Sequence, residues 1–301
     1  MNGFQGVHAA AVTPSGKQGE INLGAAFELI DYLCAAGVHG IVLFSEFGEY
    51  AAFTAEERSR LTYLAVKRSR VPVLVGVGSA TMDISISLAR EARDAGVAGI
   101  LLPPPFFYKY DDDDLLAFYQ CVTSHVGSGA DLFISNTPAS TSPISVQTVE
   151  DLLQTGLFAG VEDASGNLES FRCFRAAVDG RRRSLLVGND ALFTEARCTG
   201  AVGTVSAAAC AIPQLIMALD RAIASGQSDR IDKLNRELQT FLDWQARFPR
   251  PTIVKMATGL QGLKTGPIPV PLSPGKEKLL GEFREWFRGW LPTVKKMAAN
   301  A

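Results

Sequence analysis

The heptapeptide Gly-Val-Glu-Asp-Ala-Ser-Gly, residues 160–166, follows the short apolar run Leu157–Val161 and precedes a segment with helical periodicity. A short apolar run bounded by breaking residues is typical of the end of a buried strand. In proteins that alternate strands and helices, the chemistry lies at the carboxyl ends of such strands. The heptapeptide therefore predicts a strand end, with Glu162 close to a functional site.

Short apolar runs alternate with amphipathic segments almost to residue 210. The runs predicted as strands are 7–12, 40–44, 73–77, 99–102, 132–135, 158–161, 184–187 and 202–205. They are continuously apolar, which is typical of parallel strands buried on both faces. Eight strand–helix pairs in this order predict an α/β fold of the closed (β/α)8 barrel type.

The C-terminal part, residues 212–301, shows only helical periodicity. Its predicted helices are 215–224, 228–247, 251–260 and 275–290. No stretch rich in Gly, Ser or Pro separates them from the preceding residues. We therefore expect a barrel in residues 1–211 and a helical extension in residues 212–301, packed together as a single structural unit. Four aromatic residues of the extension predict helix packing or a subunit contact: Trp244, Phe248, Trp286 and Trp290.

The composition restricts the range of partners. A net charge of −2 over 301 residues gives no electrostatic reason to expect nucleic acid or an anionic membrane surface. The basic run Arg181–Arg183 is expected to form a solvated turn. Residues 1–5 lack the pattern of a signal peptide, and no apolar run approaches the ~20 residues of a membrane span. A cytoplasmic protein that binds a small molecule is the expectation.

The cysteines and the glycine pattern give no sign of a cofactor. Five widely spaced cysteines without a Cys-x-x-Cys pair favour reduced thiols over a zinc site. Gly76 and Gly78 lack the third glycine and the later acidic residue of a dinucleotide site. We therefore expect no cofactor.

Several motifs together resemble the dihydrodipicolinate synthase / N-acetylneuraminate lyase family. Residues 160–166 are similar to its Gly-(Ile/Val)-Lys-Glu-Ala-Ser-Gly motif, and residues 45–49 followed by 54–58 are similar to its Gly-Thr-Thr-Gly-Glu…Thr-x-Glu-Glu-Arg. Further similar stretches are 11–14, 76–79, 188–191 and 251–255. The resemblance covers most of the chain. It implies a (β/α)8 barrel with additional C-terminal helices, assembled as a homotetramer or homodimer.

The chain departs from the family pattern at the positions that carry the family's chemistry. The family's lysine forms a Schiff base with pyruvate or another 2-oxo acid, and the matching residue here is Glu162. A carboxylate cannot form an imine. The two threonines that help to hold the 2-oxo acid correspond to Glu46 and Phe47, and the tyrosine that shuttles protons corresponds to Ser135. Lys109 could supply an amine from a loop, but it precedes four aspartates, so we do not expect it to act as the imine-forming residue.

Two further replacements lie nearby. An arginine that some members use for a carboxylate corresponds to Ser140, and a tyrosine after the fourth strand corresponds to Phe107. The resemblance thus implies a site in which Glu46, Ser135 and Glu162 carry the chemistry. The residues expected to contact the ligand are Phe47, Gly48, Phe107, Tyr108, Asn136, Ser140, Ser165 and Asn189.

A metal site is a weaker alternative. Glu46 and Glu162 with Asp163 and Asp190 would offer oxygen ligands to Mg²⁺, Mn²⁺ or Ca²⁺. Separate solvated or capping carboxylates are favoured, because Asp190 lies where a helix N-cap is expected. We therefore assign no metal ligands.

Three functions remain open at this stage. The first is an enzyme that uses carboxylates, as acid/base groups or metal ligands, on a small oxygenated substrate. The second is a non-catalytic member that binds a ligand or a partner chain, and the third is a pyruvate-dependent lyase or aldolase. Two ionised glutamates at one barrel mouth disfavour an anionic 2-oxo acid, since one like-charge contact at ~4 Å costs about 4 kcal/mol at an effective dielectric of about 20. One of the two carboxyl groups should titrate well above an ordinary glutamate.

Overall fold

The computed structural model describes residues 4–178 and 183–299. Residues 1–3, which belong to the segment assessed for a signal peptide, lie outside the described residues. Arg181 and Arg182 of the basic run also lie outside them. Within the described ranges, no helix combines the length and the apolar character that crossing a membrane requires.

Eight parallel strands close into a barrel in sequence order, because each strand pairs with the next and the last pairs with the first. This confirms the predicted (β/α)8 architecture. The strands are β1 (Gly6–Ala10), β2 (Gly40–Leu43), β3 (Val73–Gly76), β4 (Gly99–Leu102), β5 (Asp131–Asn136), β6 (Gly160–Asp163), β7 (Ser184–Val187) and β8 (Gly203–Ser206).

Helices follow each strand and continue beyond the barrel. Seven of them lie between the strands: α1 (Leu23–Ala35), α2 (Ala55–Arg68), α3 (Met82–Ala95), α4 (Asp112–Val126), α5 (Val146–Gln154), α6 (Leu168–Val178) and α7 (Phe193–Cys198). The helices after the last strand are α8 (Ala208–Ala211), α9 (Pro213–Ala224), α10 (Ser228–Gln245), α11 (Thr252–Leu260) and α12 (Pro274–Ala299). All five cysteines are free thiols.

Several predicted boundaries differ from the observed ones, and two of these differences change the description of the fold. The last helix was expected to end at residue 290, but α12 continues through Pro292 to Ala299. Pro292 is exposed, so the carbonyl group that loses its intrahelical partner can bond to water. The sixth strand was expected at 158–161, but β6 spans Gly160–Asp163. Glu162 therefore lies inside the strand and not beyond its end.

The register of β5 and β6 fixes the direction of the polar side chains at their carboxyl ends. Ser135 is opposite Glu162, and Asn136 is opposite Asp163. Successive residues of a strand point to opposite faces. The Ser135–Glu162 pair therefore shares one face, towards the cavity at the barrel mouth, and the Asn136–Asp163 pair shares the other.

The C-terminal helices pack on one another through aromatic rings. The ring centroids of Trp286 and Trp290 are 4.7 Å apart and the rings are stacked, and Trp244 lies 5.6 Å from Trp286. Trp290 also donates from its indole nitrogen to Glu237 on α10 at 2.6 Å. The helix-packing interpretation is confirmed for Trp244, Trp286 and Trp290, while Phe248 lies in the wall of a cavity described below. The division of the chain at residue 211 stays a prediction.

A buried ion pair connects the extension to the loop after β2. The ammonium nitrogen of Lys255 on α11 lies 2.7 Å from Oε2 of Glu49, and the two side chains are 3% and 6% exposed. Lys255 also donates to the carbonyl oxygen of Pro267 at 3.0 Å. Burial raises the pKa of Glu49, while the Lys255 ammonium opposes this rise. The pair therefore joins α11 to the segment that carries Glu46 and Phe47.

Replacing Lys255 should destabilise the protein strongly, because it leaves Glu49 buried without its counter-ion. We expect Lys255→Met to lower the free energy of unfolding by about 3–5 kcal/mol. Urea denaturation measures this change. Arg288→Met is the control, since its ion pair with Glu285 is exposed and should change stability little. Equal effects of the two substitutions would contradict the role given to Lys255.

Candidate active site

Side chains from several strands and from the loops that follow them line an inner cavity at the carboxyl ends of the strands. Among them are Glu46, Phe47, Ser135 and Glu162, as the sequence predicted, together with Tyr50. The cavity has a volume of about 40 Å³. That is room for only a few water-sized groups, so it suits the reacting end of a ligand better than a whole metabolite.

Glu162 is the most strongly perturbed acid of this cavity. Its side chain is buried, and the hydroxyl group of Ser135 donates to its Oε2. Burial raises the pKa of Glu162 to about 8, and the nearby Asp163 and Glu46 carboxylates add to the rise, while the Ser135 hydrogen bond opposes it. The carboxyl group with the expected raised pKa is therefore Glu162; burial contributes most to the rise and Glu46 contributes least. At neutral pH the protonated acid is the main form.

Gly188, the residue after β7, makes room for the Glu162 carboxyl group. A Cβ atom at Gly188 would overlap Oε1 of Glu162 and lie 2.9 Å from Cβ of Ala164. Any side chain here would displace Glu162 or shift the end of β7. The glycine therefore allows Glu162 to lie against the wall of the cavity.

Glu46 is held by two partners. The hydroxyl group of Ser140 donates to Oε1, and Nη1 of Arg250 donates to Oε2 at 2.6 Å. The guanidinium carbon of Arg250 lies 5.3 Å from the ring centroid of Phe47. The expected repulsion of an anionic ligand assumed two ionised, unbalanced glutamates, and this assumption was wrong. Arg250 balances the charge of Glu46, and Glu162 is mostly protonated at neutral pH. The cavity is therefore close to electrically neutral.

Arg58 contacts three residues that line the inner cavity, Phe44, Tyr50 and Gly76. Its guanidinium group donates to the carbonyl oxygens of Gly76 and Gly78, each at 2.9 Å, and lies 5.5 Å from the rings of Phe44 and Tyr50. Burial lowers the pKa of Arg58 to about 10, so it stays charged at neutral pH. Burial also raises the pKa of Tyr50, with a further contribution from Glu46. Tyr50 therefore presents a protonated hydroxyl group near the inner cavity.

A larger outer cavity of about 440 Å³ adjoins the inner one. The two share Glu46, Phe47, Ala164 and Gly188 in their walls. The remaining wall of the outer cavity includes Asn189 and Arg250 and a polar face of α10. Asn189, one of the residues expected to contact a ligand, lies in this outer wall, where its side chain also accepts a hydrogen bond from the Ala191 backbone. The extension thus helps to form the site.

Three of the expected ligand contacts have structural partners instead. Asn136 donates to Asp163 at 2.8 Å and accepts from the backbone of Ile144. The Ser165 hydroxyl group donates to Asp163 at 3.0 Å. Gly48 accepts through its carbonyl oxygen from Thr13. None of the three lines either cavity; they hold the ends of β5 and β6 and the loop after β2 in place.

Ser140, Phe107 and Tyr108 also lie outside the lining of both cavities. Ser140 acts on the site through its bond to Glu46. Phe107 and Tyr108 are 81% and 64% exposed, and their rings contact each other at 5.0 Å. Both residues were expected to contact the ligand, but the loop turns these two rings outward.

The carboxylates considered for a metal site are used as structural acceptors. Asp163 accepts from Asn136 and Ser165, and Asp190 accepts from the Ser206 hydroxyl group and the Ala208 backbone. The expected N-cap role of Asp190 was wrong, since Asn189 caps the turn that follows β7. In the described part of the chain, no cluster of three or more His, Cys, Asp or Glu side chains could hold a metal ion.

Lysine is missing from the lining of both cavities, as far as the described residues go. The ammonium group of Lys109 donates to the carbonyl oxygen of Thr141 at 2.7 Å. The buried Lys255 is paired with Glu49. Neither amine is free to reach a carbonyl group beside Glu162 in this arrangement.

Sequence reasoning missed Arg250 and Tyr50. Arg250 is 204 positions from Glu46 along the chain, and no local pattern reports such a contact. Tyr50 directly follows the motif at residues 45–49, so its position next to that motif was a usable signal.

The model of the dihydrodipicolinate synthetase family matches residues 3–287. The chain belongs to this family. A 4-hydroxy-tetrahydrodipicolinate synthase from Oceanobacillus iheyensis is 30% identical over 272 residues, which cover 89% of this chain and 91% of the relative. The solved synthase from Methylacidiphilum fumariolicum SolV is 26% identical, with a TM-score of 0.88 over 97% of this chain and 99% of that one. A prophage protein of the family from E. coli K12 was solved in complex with pyruvate. It is 24% identical, with a TM-score of 0.86 over 95% of this chain and 99% of that one. This similarity shows the fold alone.

The buried acid predicts a pH-dependent stability. Between pH 4.5 and about 8 the folded protein keeps the Glu162 proton that the unfolded chain has lost. The contribution of Glu162 to the free energy of unfolding should therefore fall by about 1.4 kcal/mol per pH unit in this window and stay constant above it. Urea denaturation at several pH values in this range gives the free energies of unfolding of wild type and Glu162→Gln. The difference between them reports the contribution of Glu162. We expect the glutamine variant to gain relative to wild type as the pH rises. Parallel curves would contradict the raised pKa.

Proposed function

We propose that this family member transfers protons on a small carbonyl- or hydroxyl-bearing substrate, with Glu162 as the general acid/base and without a Schiff base. The observation that supports this most is the buried Glu162 carboxyl group in the inner cavity, whose pKa is raised to about 8. A general acid/base works best when its pKa is near the working pH. An ordinary surface glutamate lacks this property.

The contacts of Glu162 are compatible with both its protonated and its ionised form. As a neutral acid, Glu162 donates a hydrogen bond to a substrate oxygen. When it is ionised, the Ser135 hydroxyl group stabilises the carboxylate. A carboxylic acid kept neutral in an apolar cavity stabilises an enol or enolate oxygen. This chemistry favours proton exchange at the carbon beside a carbonyl group, with water as the acceptor of the carbon-bound proton.

The pocket tolerates neutral and singly charged substrates. Its two glutamates do not present two free negative charges at neutral pH, because Arg250 balances Glu46. Glu46 is therefore proposed as a wall residue that orients Arg250, and Ser140 as the residue that fixes Glu46 from the other side. Metal-assisted chemistry has no observation in its favour among the described residues.

A pyruvate-dependent lyase or aldolase is the second candidate. Family membership favours it, and so does the synthase name of the Oceanobacillus iheyensis relative. Taken alone, the comparisons support this candidate better than the proposal above. Against it stand Glu162 at the position that resembles the family's imine-forming lysine and the lack of a lysine among the described residues that line the cavities.

Reductive trapping separates the two candidates. Incubation with pyruvate and borohydride should leave the mass of the protein unchanged, because no described cavity residue carries an amine that could form an imine. Intact-protein mass spectrometry measures the result. A stoichiometric pyruvyl adduct on any lysine would establish the Schiff-base chemistry and remove the proposal.

Proton exchange tests the proposal itself. In heavy water, the protein should exchange the protons beside the carbonyl group of hydroxyacetone, followed by proton NMR. Glu162→Gln should reduce the rate above the buffer background by roughly a hundredfold or more. The wild-type rate should also decline above pH 8, because the acid form of Glu162 is lost there. Equal rates for wild type and Glu162→Gln would favour a non-catalytic, ligand-binding member.

A further inference from the structure

Arg250 has unused hydrogen-bond donors at the outer cavity. The residue lies between α10 and α11 in the wall of that cavity, and its side chain is 43% exposed. An arginine side chain carries five N–H donors in a planar fork. Across residues 4–178 and 183–299, its one observed hydrogen bond is the one from Nη1 to Glu46. The Phe47 ring beside the guanidinium group limits its movement.

Glu46 indicates which kind of group this arginine binds. A planar guanidinium fork matches the two oxygens of a carboxylate, and Glu46 supplies such a carboxylate from within the chain. Glu46 and Phe47 line both cavities, so the pair stands where the inner cavity meets the outer one. A ligand with its reacting group at Glu162 would pass Arg250 on its way outward.

We propose that Arg250 determines substrate specificity by binding a carboxylate of the substrate in the outer cavity, with Glu46 as its counter-ion in the unliganded protein. The position of the reacting end rests on the proposed function of Glu162. Asp243 on α10 also lies in the outer wall. Its negative charge, added to that of Glu46, favours a monocarboxylate over a dicarboxylate.

The outer wall has further polar groups for the body of such a substrate. Gln239 and Asp243 lie one turn apart on α10, and Asn189 follows β7. Oε1 of Gln245 is buried, and no residue of the described chain hydrogen-bonds to it. These groups suit hydroxyl substituents between the reacting carbon and the carboxylate.

Matched acids and amides test this role, because they differ in charge and hardly in shape. We would measure by calorimetry the dissociation constants of gluconate and of its amide, gluconamide. Wild type should prefer gluconate to gluconamide. Arg250→Gln should raise the dissociation constant of gluconate by roughly tenfold or more and leave that of gluconamide unchanged. Glu46→Gln should change the gluconate constant in the opposite direction, because it removes the competing charge.

Arg247→Gln is the matched control. Arg247 is three residues away and stacks on Trp244 at 4.7 Å, outside the lining of both cavities. It should change neither constant. Equal weakening of acid and amide by Arg250→Gln would indicate that Arg250 only supports the loop and would overturn the inference. Wild type that shows no preference for the acid, including no binding of either probe, would overturn it too.

The result does not depend on the outcome for Glu162. Glu162→Gln should keep the preference for gluconate over gluconamide even though it loses proton exchange. If the preference holds and exchange is absent in wild type, the proposed chemistry fails and the role of Arg250 stands. If exchange depends on Glu162 but Arg250→Gln does not discriminate acid from amide, the inference about Arg250 fails alone.

Discussion

The Ser135 hydroxyl group donates a hydrogen bond to the Glu162 carboxyl group, because the adjacent strands β5 and β6 place these two side chains on the same face. Burial makes the ionised form of Glu162 costly, and this single hydroxyl group offsets only part of that cost. The carboxyl group therefore stays protonated at neutral pH. Protonation removes one of the two negative charges from the cavity, and the Arg250 bond balances the other. The near-neutral charge of the inner cavity therefore follows from the burial of Glu162 and from the Arg250–Glu46 pair.

Three further features of the structure position the Glu162 carboxyl group and the segments around it. Gly188 leaves space for the carboxyl group, and Arg58 on α2 donates to the carbonyl groups of Gly76 at the end of β3 and Gly78 just after it. The Lys255–Glu49 pair fixes the C-terminal helices against the loop after β2. Because Arg250 lies beside α11, the extension has both a stabilising role and a place in the wall of the outer cavity. The barrel and its extension thus form the candidate site together.

The barrel could be predicted from the sequence because buried parallel strands appear as short, continuous apolar runs. Glu162, Glu46 and Ser135 could be predicted as neighbours because the carboxyl ends of parallel strands meet at one mouth. The pairing of Glu46 with Arg250 could not, since 204 positions separate the two residues and only the packed fold brings them together. The exposure of Phe107 and Tyr108 could not be predicted either, because the backbone of a loop, and not the type of its side chains, sets the direction in which they point. The position of Glu162 inside β6 needed the exact strand boundary, which was displaced by two residues in the sequence interpretation.

A neutral, buried glutamic acid at the mouth of the barrel is the central claim, and its titration can be observed directly. Carbon-13 NMR of protein labelled at the glutamate side-chain carboxyl carbons, compared between wild type and Glu162→Gln, assigns the Glu162 signal by its loss in the variant. We expect that signal to titrate with a midpoint near pH 8. A signal that titrates in the ordinary range of a glutamate would contradict the account, because Glu162 would then be a fully charged carboxylate at neutral pH.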